Sequence, residues 1–151
     1  MDRRKFSTFY LDRFWFGIEV ERVQEVIRYQ EITRVPLAPA IVRGLINVRG
    51  QIVTALDLRQ RLGLPECPAK QLPMNLIARG GDEAVSLLVD GIGDLVEVDD
   101  STFELPPSTL KGPARNLICG AYKSGDELLL VLDSEKALTL NQSETARKST
   151  H

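Results

Sequence analysis

Short apolar, β-prone runs recur along this 151-residue chain, and this rhythm limits the possible folds more than any other feature of the sequence. Several breaks between runs carry turn residues, such as Asp12-Arg13 and Lys123-Ser124-Gly125-Asp126, and glycine permits the positive φ of tight hairpins. The pattern predicts a mainly β fold, either a barrel or a sandwich. The nine runs are Phe6 to Leu11, Phe14 to Ile18, Leu45 to Val48, Ile52 to Leu56, Met74 to Ala78, Ala84 to Val89, Leu95 to Val98, Leu117 to Tyr122 and Leu128 to Leu132.

Helical spacing of apolar residues is brief and occurs at three places. One is Val20 to Ile27, where the valines share one face of a helix. The other two follow Asp57 and Asp133, each of which ends an apolar run. An aspartate there can accept a hydrogen bond from the first turn of a following helix, so we interpret both as N-caps rather than phosphoacceptors.

The chain also resembles itself. Ile18 to Ile27 matches Leu87 to Val96 at a shift of 69 residues, and Gly44 to Leu62 matches Gly120 to Leu138 at a shift of 76. Apolar positions align with apolar positions, and acidic with acidic, so the sequence predicts two related halves.

We therefore expect one domain over residues 1–140, made of two pseudo-repeated barrels at about 16–65 and 84–140. The N-terminal strand 6–11 would be shared or would complete one barrel. The polar residues 141–151 are predicted to form a flexible tail.

The charge balance argues against a nucleic-acid binder. Lysine and arginine number 19, aspartate and glutamate 21, and the net charge of -2 has the wrong sign for displacing counterions from phosphates. Neither a signal peptide nor an apolar run long enough for a bilayer is present, so we expect a soluble cytoplasmic protein without membrane insertion.

The inventory of catalytic groups is poor. His151 is the only histidine, which removes histidine-activated nucleophiles and histidine-based metal sites. Gly91-Ile92-Gly93 begins like a dinucleotide fingerprint, but Val96 stands where the third glycine is required. We predict no enzyme activity, no metal and no cofactor.

One stretch combines polar and apolar residues in a way that packing alone does not explain. Leu45 to Val48 is strand-like, Asn47 interrupts it, and Arg49 follows between Gly44 and Gly50. The planar guanidinium of Arg49 can bind a carboxylate on a partner, or one within the chain such as Glu25. Both alternatives, docking and an internal salt bridge, stay open.

These residues resemble the coupling-protein (CheW) domain of bacterial chemotaxis. The resemblance runs from about Phe6 to Leu140 and depends on ordered landmarks rather than composition. They are Val23-Gln24-Glu25-Val26-Ile27, Ile32-Thr33-Arg34-Val35-Pro36, Gly44-Leu45-Ile46-Asn47-Val48-Arg49-Gly50, Asp57-Leu58-Arg59 and Leu88-Val89-Asp90-Gly91-Ile92.

The resemblance implies two SH3-like five-stranded β-barrels packed together, with a few short helices, and a non-catalytic adaptor. Such proteins bridge the cytoplasmic tip of a chemoreceptor, a methyl-accepting chemotaxis protein, to the regulatory domain of the histidine kinase CheA at receptor arrays. Matched by motif, the receptor-binding residues are Val23, Glu25, Gly44 and Arg49. Val26 and Ile41 are the kinase-binding candidates.

Other functions remain open on sequence alone. Related adaptors serve twitching, gliding or phototaxis pathways, and the chain, which begins with Met1 and holds one copy of the domain, is similar to the stand-alone form. A different class is a small-barrel nucleic-acid or oligosaccharide binder, since five-stranded barrels often have that use.

Overall fold

Ten strands and three short α-helices make up the part of the chain that the computed structural model describes, which is residues 3–66, 68 and 70–138. The predicted tail 141–151 lies outside the described residues. The strands are β1 (Arg3–Leu11), β2 (Phe14–Glu19), β3 (Val23–Ile27), β4 (Val42–Val48), β5 (Gln51–Asp57), β6 (Met74–Gly80), β7 (Glu83–Val89), β8 (Gly91–Asp99), β9 (Ile118–Ser124) and β10 (Glu127–Leu132), and the helices are α1 (Leu58–Leu62), α2 (Pro113–Leu117) and α3 (Ser134–Leu138).

The strands form two five-stranded sheets. One has the order β3-β6-β7-β5-β4 and uses a single continuous part of the chain, so we call it the contiguous sheet. The other has the order β8-β1-β2-β10-β9 and joins strands from both ends of the described chain, so we call it the split sheet. Neighbours are antiparallel except β5 with β7 and β10 with β2.

The predicted mainly β class with two five-stranded units and few helices is confirmed. The units are curled sheets rather than closed barrels, because the edge strands β3 and β4 share no ladder. An isolated bridge between Thr33 and Leu45 partly spans that gap, and a bridge between Glu104 and Ala121 does the same in the split sheet.

The strands divide between the sheets differently from the predicted spans 16–65 and 84–140. Residues 3–19 pair with β8 and β10, in the second half of the chain, while residues 74–89 complete the contiguous sheet. Long-range pairing decides this division, and no local pattern in the sequence reports it.

One predicted helix is wrong. Of the residues from Val20 to Ile27, only Val20–Arg22 form a 3-10 turn, and the rest form β3, which pairs with β6. Valine and isoleucine pack well on a pleated sheet and lose side-chain freedom in a helix, so strand pairing prevails over the helical spacing.

The two sheets pair their strands in matching registers at the offsets seen in the sequence. Val42 pairs with Leu56 beside a bulge, and 76 residues later Ile118 pairs with Leu132 beside a bulge. Other pairings match at the offset of 69 residues, as in Leu76 with Leu87 against Ser7 with Ile18. The two sheets therefore have the same spatial arrangement of strands. The order in which the chain forms these strands is circularly permuted between them.

Three apolar clusters fill the molecule. The largest contains Phe16 and Ile18 from the split sheet together with Leu76 and Leu87 from the contiguous sheet, so it lies between the two. Each sheet also has a smaller cluster of its own. We call the largest cluster the shared core.

Candidate functional site

The turn between β4 and β5 places Arg49 on the surface. Arg49 and Gly50 both have positive φ, +54° and +86°, as the two central residues of a type I′ hairpin turn require. The Asn47 side-chain oxygen accepts a 2.9 Å hydrogen bond from the Gly50 backbone N–H. The turn thus accounts for the spacing of Asn47, Arg49 and Gly50. It also fixes the point at which the Arg49 side chain leaves the backbone.

Arg49 forms an ion pair with Glu25 on β3. Its Nε and Nη2 atoms both donate to Glu25 Oε1, at 3.2 and 3.0 Å. The Glu25 side chain is 20% exposed, whereas that of Arg49 is 80% exposed. The predicted internal salt bridge is confirmed, and the guanidinium still presents most of its surface to solvent.

This pair joins the two edges of the contiguous sheet, since β3 and β4 are its first and last strands. An exposed ion pair stabilises a fold by only about 0–1 kcal/mol. The larger effect of the pair is therefore on the orientation of the Arg49 side chain above β3.

Gly44 is buried, and its lack of a side chain lets another segment of backbone lie close to β4. A Cβ atom at this position would lie 2.2 Å from the Thr33 carbonyl oxygen and 2.7 Å from Ile32 Cγ2. Thr33 and Leu45 exchange two backbone hydrogen bonds of 2.8 Å beside it. Gly44 thus lets residues 32–33 lie against β4. Its effect on the protein surface is indirect, because it determines the path of the backbone and offers no side chain to a partner.

The remaining predicted site residues differ in accessibility. Val23 and Val26 are half-buried on β3 and pack against the shared core. Ile41 is buried, and its carbonyl accepts a 2.7 Å hydrogen bond from the Asp57 N–H. The structure thus brings Glu25 and Arg49 into contact and places Val23 and Val26 on the Glu25 strand, while the Ile41 side chain offers a partner almost no surface.

Both predicted N-caps are confirmed. Asp57 Oδ1 accepts from the Gln60 N–H at 3.0 Å at the start of α1, and Asp133 Oδ1 accepts from the Lys136 N–H at 3.2 Å at the start of α3. Asp57 also pairs with Arg43 at 3.2 Å.

Sequence reasoning missed a largely buried ion pair between Arg59 and Asp90. Arg59 Nε donates to Asp90 Oδ1 at 3.0 Å, and Arg59 Nη2 contacts Asp90 Oδ2. Both residues belong to motifs that the family resemblance depends on, Asp57-Leu58-Arg59 and Leu88 to Ile92, but nothing in their spacing shows that they meet. The only signal available was an aspartate within an apolar run, Asp90 between Val89 and Ile92.

Within residues 3–66, 68 and 70–138, no group of three or more histidine, cysteine, aspartate or glutamate side chains is placed to hold a metal ion. Across the same residues, no helix has the length and apolar character needed to cross a membrane.

Comparison with known proteins gives consistent matches over nearly the whole chain. The family model described as "CheW-like domain" matches residues 5–142. "Chemotaxis protein CheW" of Bacillus subtilis (strain 168) is 30% identical over 87% of this chain and 84% of its own length. The protein of the same name from Treponema pallidum (strain Nichols) is 29% identical over 85% of this chain and 78% of its own length.

A solved structure supports the fold independently of close sequence similarity. The crystal structure of the scaffolding protein TtCheW from Thermoanaerobacter tengcongensis superposes with a TM-score of 0.80 at 24% identity. The match covers 93% of this chain and 95% of that one.

Proposed function

The chain belongs to the family of CheW-like domains and is a non-catalytic chemotaxis scaffold, and from this premise we propose that it couples the cytoplasmic tips of chemoreceptors to the histidine kinase CheA. It would act in the cytoplasm at receptor arrays, where receptor and kinase are both within reach. The alternative of a nucleic-acid or oligosaccharide binder is not favoured, since the relatives are chemotaxis proteins.

The observation that carries the proposal is the exposed guanidinium of Arg49 on a tight hairpin turn. A type I′ turn closed by Asn47 presents the side chain, and Glu25 orients it without covering it. A planar fork of donors held in this way suits a carboxylate or a backbone carbonyl on a partner surface.

In the proposed receptor site each residue has a separate part. Arg49 supplies the donors, Glu25 holds them, Val23 adds apolar surface, and Gly44 permits the backbone path that brings the strands together. For the kinase regulatory domain, Val26 has accessible surface on β3. A role for Ile41 would be indirect, because its side chain is buried.

The first experiment measures binding of the purified chain to a receptor-tip fragment and to the regulatory domain of CheA by surface plasmon resonance. We expect both to bind, and a ternary complex to form when all three are mixed. Binding to neither cognate partner would contradict the proposed coupling.

A charge-swap series then separates the two roles of Arg49. Arg49→Glu should weaken receptor binding about tenfold or more, since it replaces an attractive contact by repulsion. Glu25→Arg combined with Arg49→Glu restores an ion pair of reversed polarity. Because the exposed partner would then be acidic, receptor binding should stay weak if Arg49 contacts the receptor directly.

The matched control is Arg13→Glu, a charge reversal in the exposed β1–β2 turn of the split sheet. It should leave receptor binding unchanged, and circular dichroism should show that all three variants fold. Full recovery of binding in the double variant would assign Arg49 an indirect role through Glu25. Unchanged binding of Arg49→Glu would remove Arg49 from the site.

A further inference from the structure

The described chain passes between the two sheets at two places. The first crossing is the 3-10 turn Val20–Arg22, between β2 and β3, and the second is Asp90, between β7 and β8. At each crossing a side chain forms an ion pair with the short helix that follows a parallel-paired strand. Arg22 pairs with Glu135 of α3, and Asp90 pairs with Arg59 of α1.

Asp90, at the second crossing, also forms hydrogen bonds with the split sheet. Asp90 Oδ2 accepts from the Asp12 N–H at 2.6 Å, and the Asp90 N–H donates to the Tyr10 carbonyl at 2.9 Å. Both of these partners belong to the β1–β2 hairpin of the split sheet. Asp12 has a φ of +59°, so the carboxylate also holds a turn residue in the left-handed region.

Arg59 ties the same carboxylate to the contiguous sheet. It extends from α1, directly after β5, and its Nη1 also donates to the Pro65 carbonyl at 2.8 Å and the Glu66 carbonyl at 3.3 Å. One arginine–aspartate pair thus connects four segments: α1, residues 65–66, the crossing and the β1–β2 turn.

The ion pair at the first crossing is more exposed, and its charges are reversed. There the crossing supplies the arginine and the helix supplies the acidic residue. The Arg22 and Glu135 side chains lie 3.7 Å apart and are 33% and 81% exposed, whereas those of Arg59 and Asp90 are 8% and 12% exposed. Water and salt screen an exposed pair, while a pair shielded from water keeps its orientation because each group has few alternative partners.

We propose that the Arg59–Asp90 pair is a positioning element that fixes the angle between the two sheets and thereby shapes the receptor surface on β3. This inference rests on the proposed function only for its binding consequence. Its structural part, that the pair sets the relative orientation of the sheets, stands on the contacts alone.

The link to the receptor surface runs through the shared core. Val23 packs from β3 against this core, as do Phe16, Ile18 and Ile92 from the split sheet. If the split sheet rotates, the exposed part of Val23 changes, although the Arg49–Glu25 pair within the contiguous sheet is untouched. Receptor affinity should therefore depend on a pair that lies outside the proposed receptor site.

The test uses Asp90→Asn, which keeps the size of the side chain but removes its charge, and Arg59→Lys, which keeps the charge but removes the planar fork. Glu135→Gln at the first crossing is the matched control. Spin labels on Ile52→Cys of β5 and Leu95→Cys of β8, with Cys67 and Cys119 replaced by serine, report the distance between the sheets. Labels on Leu95→Cys and Lys123→Cys report a distance within the split sheet.

We expect Asp90→Asn and Arg59→Lys to shift or broaden the distance distribution between the sheets and to leave the distance within the split sheet unchanged. Glu135→Gln should change neither. If the binding-competent orientation falls to about a tenth of the population, receptor affinity measured on unlabelled protein falls about tenfold. Titration with the receptor-tip fragment should narrow the broadened distribution again.

Two results would overturn the positioning role. One is an unchanged distance between the sheets in folded variants, whatever happens to affinity. The other is that both variants fail to fold, which would make the pair a requirement of folding and not of orientation. If the unaltered protein does not bind the receptor fragment, the proposed function fails, but the distances still decide whether the pair orients the sheets.

Discussion

Gly44 and Arg49 lie on one hairpin, yet they serve the candidate site in opposite ways. Gly44 acts by lacking a side chain, which lets the Thr33 carbonyl approach, while Arg49 acts by a long side chain that Glu25 holds above β3. Conservative replacements at the two positions should therefore fail differently, one in stability and the other in binding.

Gly44→Ala should destabilise the fold by about 1–3 kcal/mol, because its Cβ meets backbone and its φ is +151°. Urea unfolding followed by circular dichroism measures the loss. Gly91→Ala is the control, since a Cβ there meets no atom within 4 Å. Equal stability of the two variants would show that residues 32–33 can move away from β4 at little cost.

Tyr122 gives the fold a pH dependence at the alkaline end. Burial, with a smaller effect of the hydrogen bond to Asp100, raises the pKa of the Tyr122 hydroxyl above its ordinary value of about 10. The folded state thus retains a proton that the unfolded state releases, so this contribution to stability is complete below about pH 10 and declines above it.

The difference in phenolate absorbance between the wild-type protein and Tyr122→Phe isolates this titration. We expect a midpoint above that of a tyrosine in a model peptide, and a smaller loss of stability above pH 10 in Tyr122→Phe. A midpoint at or below the peptide value would mean that the hydroxyl is open to water.

At the scale of elements, α1 and α3 depend on their first residue and their packing. Each is five residues long, too short to persist alone, and each begins at an aspartate cap after a parallel-paired strand. The two helices occupy equivalent places in the two sheets, so their caps can be compared. Asp57, the cap of α1, also pairs with Arg43.

Asp133→Ala should cost about 1 kcal/mol of stability through loss of the cap on α3. Asp57→Ala should cost more, since Asp57 both caps α1 and pairs with Arg43. Thermal unfolding of the two variants, with Arg43→Ala to isolate the ion pair, measures the difference. A larger loss for Asp133→Ala would show that packing of α1 replaces its cap.

Local elements could be predicted from the sequence, whereas their partners could not. The apolar runs and the aspartate caps depend on neighbouring residues, and each predicted run lies in or overlaps a strand. The parallel pairing of β2 with β10 joins Trp15 to Leu129, and Asp90 meets Arg59 from another element. Such contacts depend on the whole packing arrangement, so the sequence suggested the Arg49–Glu25 pair only as one of two alternatives for the guanidinium of Arg49.

For the whole molecule, the shared core should make the two sheets unfold together. It contains buried residues from both, and Leu87 lies fully buried within it. A unit of this size with one continuous core normally unfolds in a single step.

Leu87→Ala should lower stability by about 2–5 kcal/mol without separating the transition into two. Trp15, the only tryptophan, lies in the split sheet, so its fluorescence reports that sheet while circular dichroism reports both. The two signals should coincide across a urea titration. Ile52→Ala on the exposed face of β5 is the control, and two separate midpoints would show that each sheet is stable without the other.

The division of strands between the sheets also sets an order for folding during synthesis. Residues 23–89 hold every strand of the contiguous sheet, so all five of its strands are available for pairing once residue 89 has left the ribosome. β1 and β2 leave the ribosome before any strand of the contiguous sheet, but β2 must wait for β10. These two strands are therefore exposed for longer than the rest of the described chain, and a chaperone has most time to bind them.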